Sequence, residues 1–282
     1  MKKKYYIMIL LLIFSTIIVV FKNNIVRNNK IEMKSAVKDT KKLYNVYSIM
    51  GKSNRLTNKQ VSSMNKWRDD MVSFTKKNKE NVFINGYTKN KVVALTFDDG
   101  PDLNITTKIL EELNRLKVKA NFFFIGENIC KYPSVVKDTY DSGHLVLSHG
   151  YNHIEFNKNS QNTIKINIEK NEEIIHKIIG KKPAIIRPPY GAIDNKVVKV
   201  GKDTKNKFVL WSIDTLDWSQ RDKENILNNI MKNLRPGDII LMHSNQDKIN
   251  TLEAIPNIIN SVRSKGFKFV TLDYLLDIPA YK

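Results

Sequence analysis

Only one cysteine, Cys130, occurs in 282 residues, so no intrachain disulfide forms and the fold must rest on its apolar core. Cys130 itself reads as a small hydrophobe. Acidic residues are scarce beside basic ones, 28 against 47, for a net charge of +19. The imbalance is regional: residues 1–90 hold 19 Lys and Arg against 5 Asp and Glu, and residues 91–282 hold 28 against 23. The N-terminal excess suits anionic lipid head groups or acidic wall polymers. No nucleic-acid motif accompanies it, so the charge does not argue for a nucleic-acid partner. No internal repeat or low-complexity tract stands out, and no protein partner is inferable.

Long hydrophobic runs are almost absent too. One stretch, residues 5–21, follows Lys2-Lys3-Lys4 with only Ser15 and Thr16 as polar breaks. As a helix it spans about 26 Å, close to a hydrocarbon core of about 30 Å. Neither an A-x-A-like cleavage site nor a cysteine follows closely; the flank reads Lys22-Asn23-Asn24-Ile25-Val26-Arg27. Residues 1–30 therefore read as a cytoplasmic tail, an uncleaved single-pass anchor and its flank. Residues 31–89 read as a basic, partly helical spacer. Within it, Thr57-Asn58-Lys59-Gln60 has the form of a capping box, and Val61, Met64, Trp67, Met71 and Phe74 follow at helical spacing. This helix is not expected to form a domain of its own but to pack against a spacer hairpin or against the domain that follows, residues 90–282.

What that domain does contain is a series of short apolar runs, five of them ending in a polar cluster. The runs at 92–95, 145–147, 184–186, 208–211 and 239–241 lead into the five clusters in chain order. These are Thr96-Phe97-Asp98-Asp99-Gly100-Pro101, His149-Gly150-Tyr151-Asn152-His153, Arg187-Pro188-Pro189-Tyr190-Gly191, Asp214-Thr215-Leu216-Asp217-Trp218 and Leu241-Met242-His243. Two further runs, 122–125 and 267–272, carry no cluster. Short continuous apolar runs separated by amphipathic stretches predict buried parallel strands joined by helices. Asp102 can cap one such helix, Gly180 ends a second over 163–179, and Gly266 ends a third over 250–265. Polar groups from five strand ends do not gather at the single crevice of an open sheet. They do gather at the C-terminal mouth of a barrel. The expected fold is α/β, a distorted seven-stranded (β/α) barrel.

The clusters hold three of the five histidines, the doublet Asp98-Asp99, Arg187 and the acidic pair Asp214 and Asp217. That inventory supplies a divalent metal site, which needs a few protein ligands and an open position, and leaves acid and base groups over. His149 and His153, four apart, share a face only if their segment makes a helical turn. Adjacent carboxylates leaving a strand point in different directions, so one can bind metal while the other faces water. His144 and His176 read as structural. The chain reads as a metal-dependent hydrolase.

TFDDGP, H-x3-H, RPPYG, DxxDW and LxH, in this order, resemble the five motifs of the polysaccharide deacetylases, the carbohydrate esterase family with the NodB-like domain. The resemblance spans roughly residues 90–278 and implies the same seven-stranded barrel. It implies Asp99, His149 and His153 as metal ligands and Asp98 as general base. His243 becomes the general acid, Arg187 the partner of Asp98, Asp217 the partner of His243, and the Tyr190 backbone N–H the oxyanion donor. An arginine beside a carboxylate favours its proton-accepting form, and a carboxylate beside an imidazole favours imidazolium. Trp218, Leu241 and Pro188 are implied as substrate contacts, whereas Trp211, inside its strand run, reads as core. Oxygen and nitrogen ligands suit zinc, with cobalt and nickel compatible. Gly150 departs from the family, which carries Ser or Thr there. A domain held outside a membrane meets peptidoglycan first, so an N-acetylated wall glycan is the expected substrate. The rival readings are a small-molecule amidase and a catalytically silent wall-binding protein.

Overall fold

Alternation along two central strands sets the architecture. In β2 (Val92–Asp98), Val93, Leu95 and Phe97 join an outer apolar layer under the helices, and Ala94 joins an inner one. Thr96 and Asp98 share the parity of Ala94, so the polar side chains of this strand point inward. β8 (Ile239–His243) repeats the pattern: Ile240 and Met242 lie in the outer layer, Ile239 and Leu241 in the inner one. His243 is in step with the inner set.

The computed structural model describes residues 45–219 and 222–282, and residues 45–282 form one compact unit. Its parallel sheet runs β1 (Val82–Phe83), β6 (Lys207–Val209), β5 (Ile185–Ile186), β4 (Leu145–Ser148), β3 (Asn121–Phe124), β2, β8 and β7 (Ile213–Asp214). A ninth strand, β9 (Lys268–Phe269), pairs with β2 off this path. β6 and β7 stand near opposite ends of the path, yet only Leu210, Trp211 and Ser212 separate them in the chain. The sheet therefore curls back on itself into a distorted, incomplete barrel.

Seven strands were expected; the path holds eight. The apolar run at 208–211 is not one strand but the point where the chain changes partner. Leu210 N–H bonds Phe83 O, and Ser212 N–H bonds Ile239 O. β1 lies in the apolar triplet Val82-Phe83-Ile84, within the stretch read as spacer, and β7 follows the 208–211 run almost directly.

The helices start and stop where their caps dictate. In α1 (Asn58–Lys77) the Thr57 hydroxyl accepts from Gln60 N–H while Thr57 N–H donates to the Gln60 side chain. Asp102 Oδ1 accepts the Ile105 N–H at the start of α2 (Ile105–Arg115). α5 (Gln161–Ile179) opens on Ser160 and closes on Gly180 in the left-handed region. α7 (Lys223–Met231) and α8 (Ile249–Ser264) pack on the outer layer. Cys130, read as a small hydrophobe, is exposed on α3 (Gly126–Lys131), because it follows Ile129, the inward residue of that short helix. The predicted anchor at 5–21 lies outside the described residues. Among the described residues no helix is long and apolar enough to cross a membrane.

Candidate active site

Strand register does the first half of the assembly. The β2–β8 ladder sets Asp98 beside His243, and the β4–β5 pairing of Ser148 with Ile186 lets His149 and Arg187 leave neighbouring strands side by side. Because all the strands are parallel, these ends share one rim. Arg187 is fully buried and spends its guanidinium on Asp98 Oδ1 at 2.7 Å, Thr96 Oγ1 at 2.8 Å, Val209 O at 3.1 Å and Leu210 O at 2.9 Å. It also lies 4.2 Å over the Phe123 ring. Burial pulls the Arg187 pKa down and the charge of Asp98 opposes that pull. Asp98 Oδ1 is thus committed to Arg187, while Oδ2 stands 3.7 Å from His149 Nε2.

The second half is done by turns. Asp99 has φ 69°, Gly150 φ 74° and His153 φ 56°, all in the left-handed region. His149 and His153 converge because these turns fold the loop back, and not by the helical turn that their spacing suggested. Their ring centroids are 5.0 Å apart. Nε2 of His149 and of His153 lie 3.5 Å and 3.3 Å from Asp99 Oδ1. Burial pushes the Asp99 carboxyl up, but the two imidazoles outweigh it and hold the group well below the usual carboxylate range.

This donor set fits a divalent ion. The three ligand atoms lie within 4.8 Å of one another. His149 Nδ1 is 2.8 Å from Arg187 O, which can only accept, so Nδ1 carries the proton and Nε2 keeps its lone pair for a metal. His153 Nδ1 is tied in turn to the Tyr190 hydroxyl at 3.1 Å.

On the other side of the site, Asp217 Oδ1 meets His243 Nδ1 at 2.7 Å and Oδ2 accepts the His243 N–H at 2.8 Å. Thr251 donates to the same Oδ2 at 2.7 Å. Burial pulls the His243 pKa down, but Asp217, aided by Asp99 and Asp98, drives it up to about 9. For Asp217, burial raises the pKa and His243 more than offsets it, so the carboxyl sits below its ordinary value. The pair is an imidazolium and a carboxylate at neutral pH.

A cavity of about 450 Å³ joins the two sides, and Asp98, Asp99, His149, His153, Tyr190 and His243 all open into it. Arg187 and Asp217 sit behind this lining. Trp218 is half exposed at the mouth, its indole N–H 3.3 Å from Asp214 Oδ1, and Leu241 lines the floor. Pro188 is buried outside the lining, and its carbonyl accepts the Gly191 N–H. Tyr190 is 62% exposed with φ 59°. Gly191 and Ala192 give their N–H groups to Pro188 O and Pro189 O, while Tyr190 N–H meets no protein acceptor among the described residues.

Sequence reasoning gave no site role to five lining residues: Met64 and Trp67 of α1, Gly191, Trp211 and Asp214. Trp211, expected in the core, is buried yet also reaches the cavity, because the strand breaks at its position. The apolar stripe of α1 carried the signal for Met64 and Trp67, but a stripe alone reads as packing. His144 is the core histidine expected, with Nδ1 3.0 Å from Ala120 N–H and a pKa lowered to about 4 by burial and then by Lys119. At Gly150, with φ 74°, a Cβ would lie 2.8 Å from Asn167 Oδ1, so a Ser or Thr here is strained and would displace the Asn167 side chain. Asn167 braces the loop instead, accepting the Tyr151 N–H at 2.6 Å.

Comparisons with known proteins show what the chain is similar to. The sequence profile described as polysaccharide deacetylase matches residues 85–209. A peptidoglycan-N-acetylglucosamine deacetylase of Bacillus cereus is 41% identical over 192 residues, covering 67% of this chain and 70% of that protein. The peptidoglycan-N-acetylmuramic acid deacetylase PdaA of Bacillus subtilis is 29% identical over 202 residues, 70% of this chain and 76% of its own. A solved peptidoglycan N-acetylglucosamine deacetylase superposes with a TM-score of 0.72 at 36% identity, covering 74% of this chain and 99% of that one. With this fold, this motif order and this coverage, the chain belongs to the polysaccharide deacetylase family.

Proposed function

We propose that this protein hydrolyses N-acetyl groups on a cell-wall glycan, releasing acetate and leaving a free amine on the sugar. The observation that carries the reading is the pairing of two held groups across one cavity. Asp98 is tied to Arg187 at 2.7 Å, His243 is tied to Asp217 at 2.7 Å, and the Asp99-His149-His153 set lies in the same cavity. Peptidoglycan is the substrate supported by the names of the relatives. N-acetylglucosamine is favoured over N-acetylmuramic acid, since the relatives named for it reach 41% identity against 33% for those named for the other sugar.

Asp99, His149 and His153 would hold one divalent ion, with zinc favoured by the ligand types and cobalt or nickel compatible. When bound, such an ion polarises the acetamido carbonyl and makes a water acidic enough to attack near neutral pH. Asp98, through the oxygen that Arg187 leaves free, accepts the proton of the attacking water. The N–H of Tyr190 is placed to meet the oxyanion as the carbonyl carbon becomes tetrahedral; one such donor contributes roughly 3–4 kcal/mol. His243, held as imidazolium, gives its proton to the nitrogen as the C–N bond breaks. Trp218 offers an apolar face to a sugar ring at the mouth, and Leu241 meets the acetyl methyl on the floor.

The chain is further proposed to sit at a cell membrane through residues 5–21, with residues 31–89 as spacer and residues 90–282 outside the membrane as the catalytic domain. Acetate release from purified wall, with and without a chelator, tests the function. Release that a chelator abolishes and added zinc restores supports the proposal. Turnover of small amides with none from wall would make the protein a small-molecule amidase, and no turnover of either would make it a silent wall-binding protein.

A further inference from the structure

A helix outside the family-matched stretch reaches into the site. α1 lies before residues 85–209, yet Met64 and Trp67 line the same cavity as Asp98, His149 and His243. Two contacts fix the helix there. Arg68 is buried, donates to Gly51 O at 2.9 Å and faces Asp214 at 3.8 Å. Trp67 stacks on Trp211 with ring centroids 5.4 Å apart.

A third contact is closer. Tyr190 and Gly191 are successive left-handed residues, with φ 59° and 63°. A Cβ on Gly191 would lie 2.5 Å from Trp67 Cζ2 and 3.2 Å from Trp211 Cη2. The six-membered ring of Trp67 therefore presses on bare backbone, at a point where no side chain fits. A left-handed residue other than glycine persists only where its surroundings over-determine it. Tyr190 is such a residue, and its N–H is the one donor of this turn that no protein carbonyl occupies among the described residues.

We propose that Trp67 is a positioning residue: packed on Gly191 and backed by Trp211, it holds the turn that aims Tyr190 N–H at the oxyanion. This rests on the deacetylase reading above. A substrate wall in the same place would act on KM instead, and plain core packing would act on stability alone.

Two substitutions in the full, zinc-loaded chain separate these roles. Trp67→Phe keeps an aromatic face for Trp211 but lacks the ring edge that meets Gly191; Trp67→Ala removes both. On a soluble N-acetylated glucosamine oligomer, kcat is expected to fall about 10-fold in the first and about 100-fold in the second, the scale of a small misplacement of a reacting group. KM should stay within about threefold, with zinc content unchanged and the thermal midpoint of Trp67→Phe near that of the parent. Gly191→Ala should also lose kcat, and combining it with Trp67→Ala should cost less than the product of the two losses, because the new Cβ then has room. If Trp67→Ala does not fold, Trp67→Phe decides. An unchanged kcat in folded Trp67→Phe, a change confined to KM, or strictly multiplicative losses would each overturn the proposal. A parent enzyme that releases no acetate would overturn the deacetylase reading itself, and this proposal with it.

Discussion

Asp98 and His243 are placed by a ladder, as directly paired residues of β2 and β8, whereas Asp99, His153 and Tyr190 are placed by left-handed turns. The difference is one of cost. Ladder positions are fixed by backbone hydrogen bonds that the fold makes anyway. Non-glycine residues in the left-handed region each cost of order 1–3 kcal/mol and need outside support. Here that support is specific: the Tyr190 hydroxyl meets His153, and Trp67 packs on Gly191. The proposed acid and base are thus held by the barrel itself, as is His149 at the end of β4, while the other two proposed ligands, Asp99 and His153, sit on turns that an ion would lock.

Substitution on the turn side should have the largest effect. His153→Ala removes one of three donors, so it should lose most bound metal and nearly all activity, with the thermal midpoint little changed because the residue sits at the rim. Elemental analysis checks this, and undiminished metal would break the comparison at once. On the ladder side, His243→Asn should keep its metal and lose turnover by roughly 10²–10⁴.

The pH profile sharpens that second case. His243 has a pKa raised to about 9, so its acid form predominates below that value and is lost as pH rises through it. A cation on Asp99 would cancel part of the carboxylate field, which sets the upper limb of the parent profile at about 9 or somewhat lower. His243→Asn should flatten that limb and spare the lower one. An upper limb that survives without His243 would assign the acid role elsewhere.

A smaller effect tests how the turns are braced. Tyr190→Phe keeps the backbone N–H but removes the hydroxyl that lies 3.1 Å from His153 Nδ1. Loss of such an outer partner typically costs about 10–100-fold in metal affinity. Competition with a chromogenic chelator should read that fall, while turnover at saturating metal stays near the parent value. Unchanged affinity would make the contact incidental.

The ladder side was the legible side. Apolar runs ending in charge located β2, β4, β5 and β8, and two-residue periodicity carried Asp98 and His243 inward. Gly180 and the Thr57–Gln60 box marked helix ends correctly, because capping chemistry is local. The turn side was legible in its residues and not in its geometry. Nothing in the His149–His153 spacing announces a left-handed His153, and a helical turn was the plainer expectation. β1 escaped notice because Val82-Phe83-Ile84 lies in the stretch read as spacer, and β7 because it follows the 208–211 run almost directly. Trp67 escaped because an apolar stripe does not say which surface it will meet, and here it meets Gly191 and Trp211 at the cavity. Gly150 stood out as a departure from the family, and only the fold brings Asn167 of α5 against it to brace the loop.

Asp98 and Asp99 are neighbours in the chain, which allows the central claim to be tested at adjacent positions. Asp98 and Asp99 should each be replaced by Asn and the bound metal measured in both proteins beside acetate turnover. Asp98→Asn is expected to retain about one metal equivalent and lose turnover by roughly 10²–10⁴, and Asp99→Asn to lose both. Metal lost from Asp98→Asn, or kept in full by Asp99→Asn, would contradict the proposed division between Asp98 as base and Asp99 as metal ligand.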